Sequence, residues 1–428
     1  MTCLPRRLAG FEVVSRRNKF KAGYMVDRDS LLEKLQQIQV AIKNNYKSNK
    51  NIGVLSGISG IALFQYYYSK FLKKQDPADF GAEIIYEVVK RINNGYLFPT
   101  FCTGIAGAGW VLDLLQEENY IEVNNDSLLP QLDDYLFEVM ENDVKNQHFD
   151  FLHGALGYGY YFLKRYENTQ SEKLKKKYRE KLIFLLLALK NSAKKGNNRI
   201  WWEYELNAKE KIYGANLSLS HGMSSIVILL CKLHPYDDFK KLTKDLLMGS
   251  VTYILKAKYK DVHSTSLYPS WIYKKDNHYE NTRLAWCYGD LGVGLSIYHT
   301  AKTLRNTEYK KIALQIFKHS AKRRDYQETR ICDAGLCHGV YGIVAIFKYI
   351  FTETKETIFK EALEFWINEA VSMAVHEDGY AGYKQWRGDD EQWENKTNLL
   401  EGVAGIGLAI ITYLAPFETH WEECLLIK

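Results

Sequence analysis

The sequence predicts an all-α protein: an α/α toroid of seven inner and seven outer helices, with small aromatic-rich insertions. Three observations lead there. A glycine motif, G-x-x-(G/S), recurs seven times; each copy is followed by a run that is apolar on nearly every side; and the segments between are amphipathic and charged. The copies are GVLSGISGIALFQ, FCTGIAGAGWVLDLL, DFLHGALGYGYYFL, LSLSHGMSSIVILL, AWCYGDLGVGLSIY, GLCHGVYGIVAIF and NLLEGVAGIGLAI. Their leading glycines are Gly57, Gly104, Gly154, Gly222, Gly289, Gly339 and Gly402, separated by 47, 50, 68, 67, 50 and 63 residues. Every separation leaves room for two helices and two connections.

Taken in order, residues 1–45 form an N-terminal extension leading into the first outer helix, and residues 46–428 form the toroid. The apolar run in each copy is a helix buried all round. The charged stretches EKLKKKYREKLIFLLLALKNSAKK, after the third copy, and EYKKIALQIFKHSAKRRD, after the fifth, are helices with one wet face. Inner helices this apolar need neighbours on all sides, and the first and last copies lack the polar outer face that caps an open solenoid. Closure into a ring satisfies both conditions, and the glycines then let helix ends and loops approach closely. Two connections are long and aromatic, near 195–218 and 262–283. Trp201, Trp202, Trp271 and Tyr273 there either line a groove for a peptide or form satellite cores beneath loops.

Bulk properties narrow the partners. With 428 residues and 46% hydrophobic content, the chain can bury a large core. The net charge of +6 is spread along the chain, and no Lys/Arg block is dense enough to argue for nucleic acid. Seven scattered cysteines lack the spacing of a disulfide framework, which points to a reducing, cytoplasmic location. The basic N-terminus has neither the apolar stretch nor the cleavage site of a secretory signal. No uncharged apolar run reaches membrane-spanning length.

The repeat also gathers the reactive side chains. Two positions before the leading glycine stand Cys102, Ser220, Cys287 and Cys337; one position before it stand His153, His221, Tyr288 and His338. Equivalent positions in a ring of repeats lie at the same height on the same end. Cys287 and the Cys337–His338 pair therefore converge from adjacent repeats at the inner rim. Two thiolates and one imidazole suit one Zn²⁺ per chain, and three protein ligands leave the fourth position open, as at a catalytic site. Cys102 lies roughly across the ring and is assigned to packing. His221, in the neighbouring repeat, and Asp150, four residues before Gly154, make an acid/base unit in which the carboxylate orients the imidazole and raises its basicity. Arg283 either stabilises developing negative charge or forms a surface ion pair. His153 shares the rim but is farther from the metal, and is set aside.

The tripeptides Ser220–Gly222 and Cys337–Gly339, with RLAWCYG at Arg283–Gly289 between them, resemble the signature of the lanthionine synthetase C-like family, the lanthipeptide (lantibiotic) cyclases. With the sevenfold repeat, the resemblance covers about residues 50–415. It implies a zinc-dependent cyclase that adds peptide Cys thiols, intramolecularly and in Michael fashion, to dehydroalanine or dehydrobutyrine, forming lanthionine and methyllanthionine thioether rings. It implies Cys287, Cys337 and His338 as zinc ligands, and His221 and Asp150 as the catalytic pair. Arg283 and Tyr288 would be catalytic groups that hold the enolate oxygen, and Trp286 a substrate-binding residue. The implied partners are a dehydrated precursor peptide with its leader, a separate dehydratase and an export transporter complex. The implied location is cytoplasmic, peripheral at a membrane-associated biosynthetic complex. Two departures stand out: Ser225 where the other copies repeat glycine, and a histidine before the leading glycine in DFLHG.

Other readings compete. A relative of the same fold with a similar zinc site would bind thiols such as glutathione without forming rings. An α/α glycosidase needs paired cavity carboxylates, for which only Asp150 and Glu401 stand at the rim positions. A prenyltransferase β-subunit needs an aspartate ligand that these positions do not supply. A helical-repeat scaffold would leave the Cys/His pattern without a purpose.

Overall fold

Every leading glycine sits immediately before a helix. The inner helices are Ile58–Leu72, Ile105–Glu117, Ala155–Asn168, Met223–Leu233, Asp290–Leu304, Val340–Thr354 and Val403–Leu414. The computed structural model describes residues 27–207, 212–260, 264–273, 281–388 and 391–428. Residues 1–26 of the N-terminal extension, and 208–211, 261–263 and 274–280 of the two long connections, lie outside the described residues.

The inner helices are buried on all sides: in Ile105–Glu117 no residue from Ile105 to Leu115 reaches the surface. The outer helices are Arg28–Asn45, Asp76–Asn93, Pro130–Lys145, Glu172–Ser192, Asp237–Lys256, Thr307–Ser320 and Thr357–Ser372. Each buries a single stripe. In Glu172–Ser192 it consists of Tyr178, Lys181, Leu182, Leu185, Leu186 and Leu189, the three-and-four spacing of one helix face. The first six inner helices pack on the outer helix that follows them in the chain. Val403–Leu414 instead takes Arg28–Asn45 from the far end of the sequence and packs against Ile58–Leu72, which closes the ring. The fold is an α/α toroid.

The turns that precede the inner helices are laced together at the position two before each leading glycine. Leu55 and Ser56 donate their backbone N–H groups to the Cys102 carbonyl (3.2 and 3.0 Å), and Cys102 donates to Leu152 (2.9 Å). Leu219 and Ser220 donate to Cys287 (3.0 and 3.3 Å), and Cys287 to Cys337 (3.1 Å). Leu336 and Cys337 donate to Leu400 (both 3.0 Å), which donates to Leu55 (2.8 Å) and so joins the last turn to the first. Among the described residues, the junction of the third and fourth turns has no such bond; side chains bridge it, as described below.

Close approach at these turns accounts for the second glycine of the motif. A Cβ on Gly107 would run into the carbonyl oxygen of Phe101. Ser225, its counterpart in the fourth repeat, turns its hydroxyl to the Gly222 carbonyl at 2.7 Å. Gly289 alone among the leading glycines has a left-handed φ, +96°, which favours glycine over any other residue.

The insertions are small sheets. β1 (Lys194–Gly196) and β2 (Arg199–Trp201) form a hairpin whose turn residues Asn197 and Asn198 have φ of +50° and +59°, as two-residue hairpin turns require. β3 (Tyr204–Asn207), β4 (Ile212–Asn216) and β5 (Trp271–Tyr273) form one antiparallel sheet, so the two long connections meet. Trp202 is buried with its indole on the Leu189 carbonyl (3.0 Å), and Trp201 stacks on Tyr253 at 5.0 Å. Trp202 thus belongs to the main core and Trp201 packs against it, rather than forming a satellite core beneath a loop, whereas Tyr273 stays 41% exposed. β6 (Gln385–Arg387) and β7 (Gln392–Glu394) make a further hairpin.

The C-terminal residues pack against the inner repeats. The carbonyls of Glu423, Leu425 and Ile427 meet Tyr160 (2.9 Å), Trp286 (2.6 Å) and His299 (3.1 Å). Among the described residues, no helix is long and apolar enough to cross a membrane.

Candidate active site

The residues just before the leading glycines, Ser56, Thr103, His153, His221, Tyr288, His338 and Glu401, follow one another around one mouth of the ring. The bond from Cys287 N–H to the Cys337 carbonyl binds the fifth turn to the sixth. It brings both Sγ atoms and a ring nitrogen of His338 within 4.8 Å of one another. Cys287 is buried and the other two are half-buried.

The two thiols are driven in opposite directions. Cys287 is drawn down to about 6 by its hydrogen bond with Cys337, against burial, with help from the positive charges of His338, Arg283 and His221. Cys337 is pushed up for the same reason, as the donor of that bond in a buried place. Burial works against a charged His338, yet Asp333 and the Cys287 thiolate raise it to about 9.

The donor set fits zinc. Tetrahedral Zn²⁺ with two sulfurs and one nitrogen needs donor atoms roughly 3.6–3.8 Å apart, so side-chain shifts of about an ångström would complete it. Two soft sulfurs with one imidazole discriminate against hard cations such as Mg²⁺ and Ca²⁺.

Beside this cluster, at the junction without a backbone bond, Nδ1 of His221 lies 2.6 Å from Oδ2 of Asp150. The other carboxylate oxygen accepts the His153 N–H at 2.8 Å. Burial raises the Asp150 carboxyl, but the His221 bond and charge more than reverse this and leave it below its ordinary value. Burial likewise lowers His221, and Asp150 outweighs it, so the imidazole titrates above its ordinary value. Ser218 Oγ accepts the His221 N–H at 3.0 Å and sets the turn. The His221 ring stands 6.2 Å from both His153, stacked, and Tyr288, tilted.

Tyr288 is half-buried, and burial keeps its phenol protonated. Arg283 is half-buried, and its charge is felt at both Cys287 and His338. The structure thus gathers Asp150, His221, Arg283, Cys287, Tyr288, Cys337 and His338. Trp286 is not brought to the mouth: it is fully buried, and its indole holds the Leu425 carbonyl. Cys102 is buried beside Ser56 (3.3 Å) and pushed up to about 12 by that burial.

Two neighbours escaped the sequence reading. Asp333 lies 3.3 Å from His338, and its only sequence signal is an acid in a small-residue loop five positions upstream. Tyr204, from the first insertion, donates its hydroxyl to the Phe149 carbonyl at 3.3 Å, next to Asp150; no periodicity marks it.

The model of the family described as lanthionine synthetase C-like protein matches residues 48–426. The chain belongs to that family. The nisin biosynthesis protein NisC of Lactococcus lactis subsp. lactis is 24% identical over 371 residues, which span 80% of this chain and 81% of that protein. A solved structure described as nisin cyclase superposes with a TM-score of 0.72 at 17% identity, covering 94% of this chain and 98% of the other. At that identity the superposition establishes a common fold for this lanthionine synthetase C-like protein.

Proposed function

We propose that the protein is a zinc-dependent lanthipeptide cyclase. One observation carries the reading: a two-thiol, one-imidazole donor set stands directly beside an imidazole–carboxylate pair at the mouth of a closed ring. The similarity to a nisin biosynthesis protein and a nisin cyclase supports it.

Cys287, Cys337 and His338 would hold the zinc, which when bound would keep ionised a peptide thiol whose ordinary pKa is about 8.5. The incoming sulfur forms a bond to the β-carbon of a dehydroalanine or dehydrobutyrine, and the C=C pair moves onto the α-carbon and its carbonyl as an enolate. The His221 imidazolium, kept charged by Asp150, delivers a proton to the α-carbon. The proton lost by the thiol restores the balance, so ring closure is an isomerisation without change of mass. The Tyr288 hydroxyl and the Arg283 guanidinium hold the enolate oxygen. Trp286 acts at a distance, by fixing the C-terminal segment.

The substrate in this reading is a precursor peptide with its leader, already dehydrated by a separate dehydratase and later exported by a transporter complex. A cytoplasmic location, peripheral to that complex, keeps the peptide thiols reduced until closure. The test is to count zinc per chain, then incubate the protein with such a dehydrated peptide and follow thiol alkylation by mass spectrometry. Alkylable thiols should disappear at constant mass. Zinc and thiol affinity without ring closure would instead make the protein a thiol binder and overturn the proposal.

A further inference from the structure

Asp333 is the strongest group that the mechanism leaves unused. Its side chain is 1% exposed, in the turn leading to Val340–Thr354. That turn folds tightly around it: Val340 N–H returns to the Asp333 carbonyl at 3.1 Å, and a Cβ on Gly339 would collide with Oδ1. Oδ1 accepts the Gly335 N–H at 2.9 Å. Oδ2 accepts the Trp386 N–H of strand β6 at 3.0 Å and also lies 3.3 Å from Nε2 of His338. A carboxylate this buried persists only where its oxygens are bonded, and here both are.

With Nε2 of His338 engaged by the carboxylate, Nδ1 is the nitrogen left to face Cys287 and Cys337. An imidazole that donates its second N–H to a carboxylate is fixed in tautomer and rotation, and becomes a stronger donor. We infer that Asp333 is a positioning residue: it holds His338 with Nε2 protonated and Nδ1 turned to the metal, and through Trp386 it ties that ligand to the β6–β7 hairpin. The inference rests on the reading of Cys287, Cys337 and His338 as a zinc site. Asparagine is not an equivalent, because it offers one acceptor oxygen where Asp333 uses two. Its amide nitrogen would oppose the N–H of Gly335 or that of Trp386.

The experiment is zinc affinity by competition with a chromogenic chelator, for wild type, Asp333→Asn, His338→Ala and the double variant. Asp333→Asn should bind zinc about 10–100-fold more weakly. In the His338→Ala background the same change should cost nothing further, because Asp333 acts through that ring. Equal affinity in Asp333→Asn and wild type, or an undiminished loss in the double variant, overturns the inference while leaving the zinc site intact. A wild type that binds no zinc overturns both. Should Asp333→Asn not fold, ¹⁵N NMR of histidine-labelled, zinc-loaded wild type decides: Nδ1 metal-bound with Nε2–H supports the assignment, and metal on Nε2 ends it.

Discussion

Replacing His221 with alanine separates proton transfer from metal binding. The His221 side chain is 32% exposed and that of Asp150 13%. Truncation removes the 2.6 Å ion-paired bond, yet Asp150 keeps the His153 N–H at 2.8 Å and some access to water. The stability cost therefore falls low in the range for an orphaned acceptor, about 1–2 kcal/mol. In a chain of this size that lowers Tm by only a few degrees. The rate should suffer far more. A positioned acid/base group contributes about 10²–10⁴-fold, or about 3–5 kcal/mol of barrier. His153, stacked 6.2 Å from His221, offers a second imidazole, but only its backbone N–H meets Asp150. The expected loss is thus intermediate, about 10³-fold. Zinc content should not change, since His221 is outside the donor cluster. The assay is a single turnover with dehydrated peptide, quenched by thiol alkylation and read by mass spectrometry, beside a metal analysis of the same sample. Ring closure at a near wild-type rate would refute the role of His221. Loss of zinc together with activity would refute the division of labour.

Cys287→Ala and Cys337→Ala should each abolish stoichiometric zinc while keeping helical circular dichroism; retention of metal by either would exclude that residue as a ligand. The Asp150–His221 pair should be pH-dependent in the zinc-free protein. The raised His221 contributes stability that is full below its ordinary 6.5 and lost as pH climbs through the folded value. The lowered Asp150 contributes stability that is full above its ordinary 3.8 and lost as pH falls through the folded value. A double-mutant cycle with Asp150→Asn and His221→Asn should therefore show its largest coupling near pH 5.5 and a smaller one near pH 9; no difference would mean the pair is not ionised as described. Gly107→Ala drives a methyl group into the Phe101 carbonyl and should cost at least about 2–3 kcal/mol in denaturant unfolding. Trp286→Phe strands the buried Leu425 carbonyl and should cost about 2–3 kcal/mol with KM unchanged; a raised KM at unchanged stability would return Trp286 to the substrate.

The local pattern already contains the ring. G-x-x-G followed by an all-apolar run is what a fully buried helix entering a crowded turn demands, and that demand is steric and short-range, so it recurs in the chain as a repeat. Because equivalent positions in a ring share one height, the same repeat also made the Cys287, Cys337 and His338 cluster and the Asp150–His221 pair legible from spacing. Several matters depend on partners far away in the chain. The sequence does not tell that Trp286 faces the C-terminal segment, 139 positions on, rather than the mouth. Nor does it tell that Asp333 spans from His338 to Trp386, 53 positions on, or that Trp201 and Trp202 pack inward while Tyr273 does not. Hydrogen bonds of this kind join single residues across unrelated elements. They leave no periodic trace, and only the packed chain decides which donor reaches which acceptor.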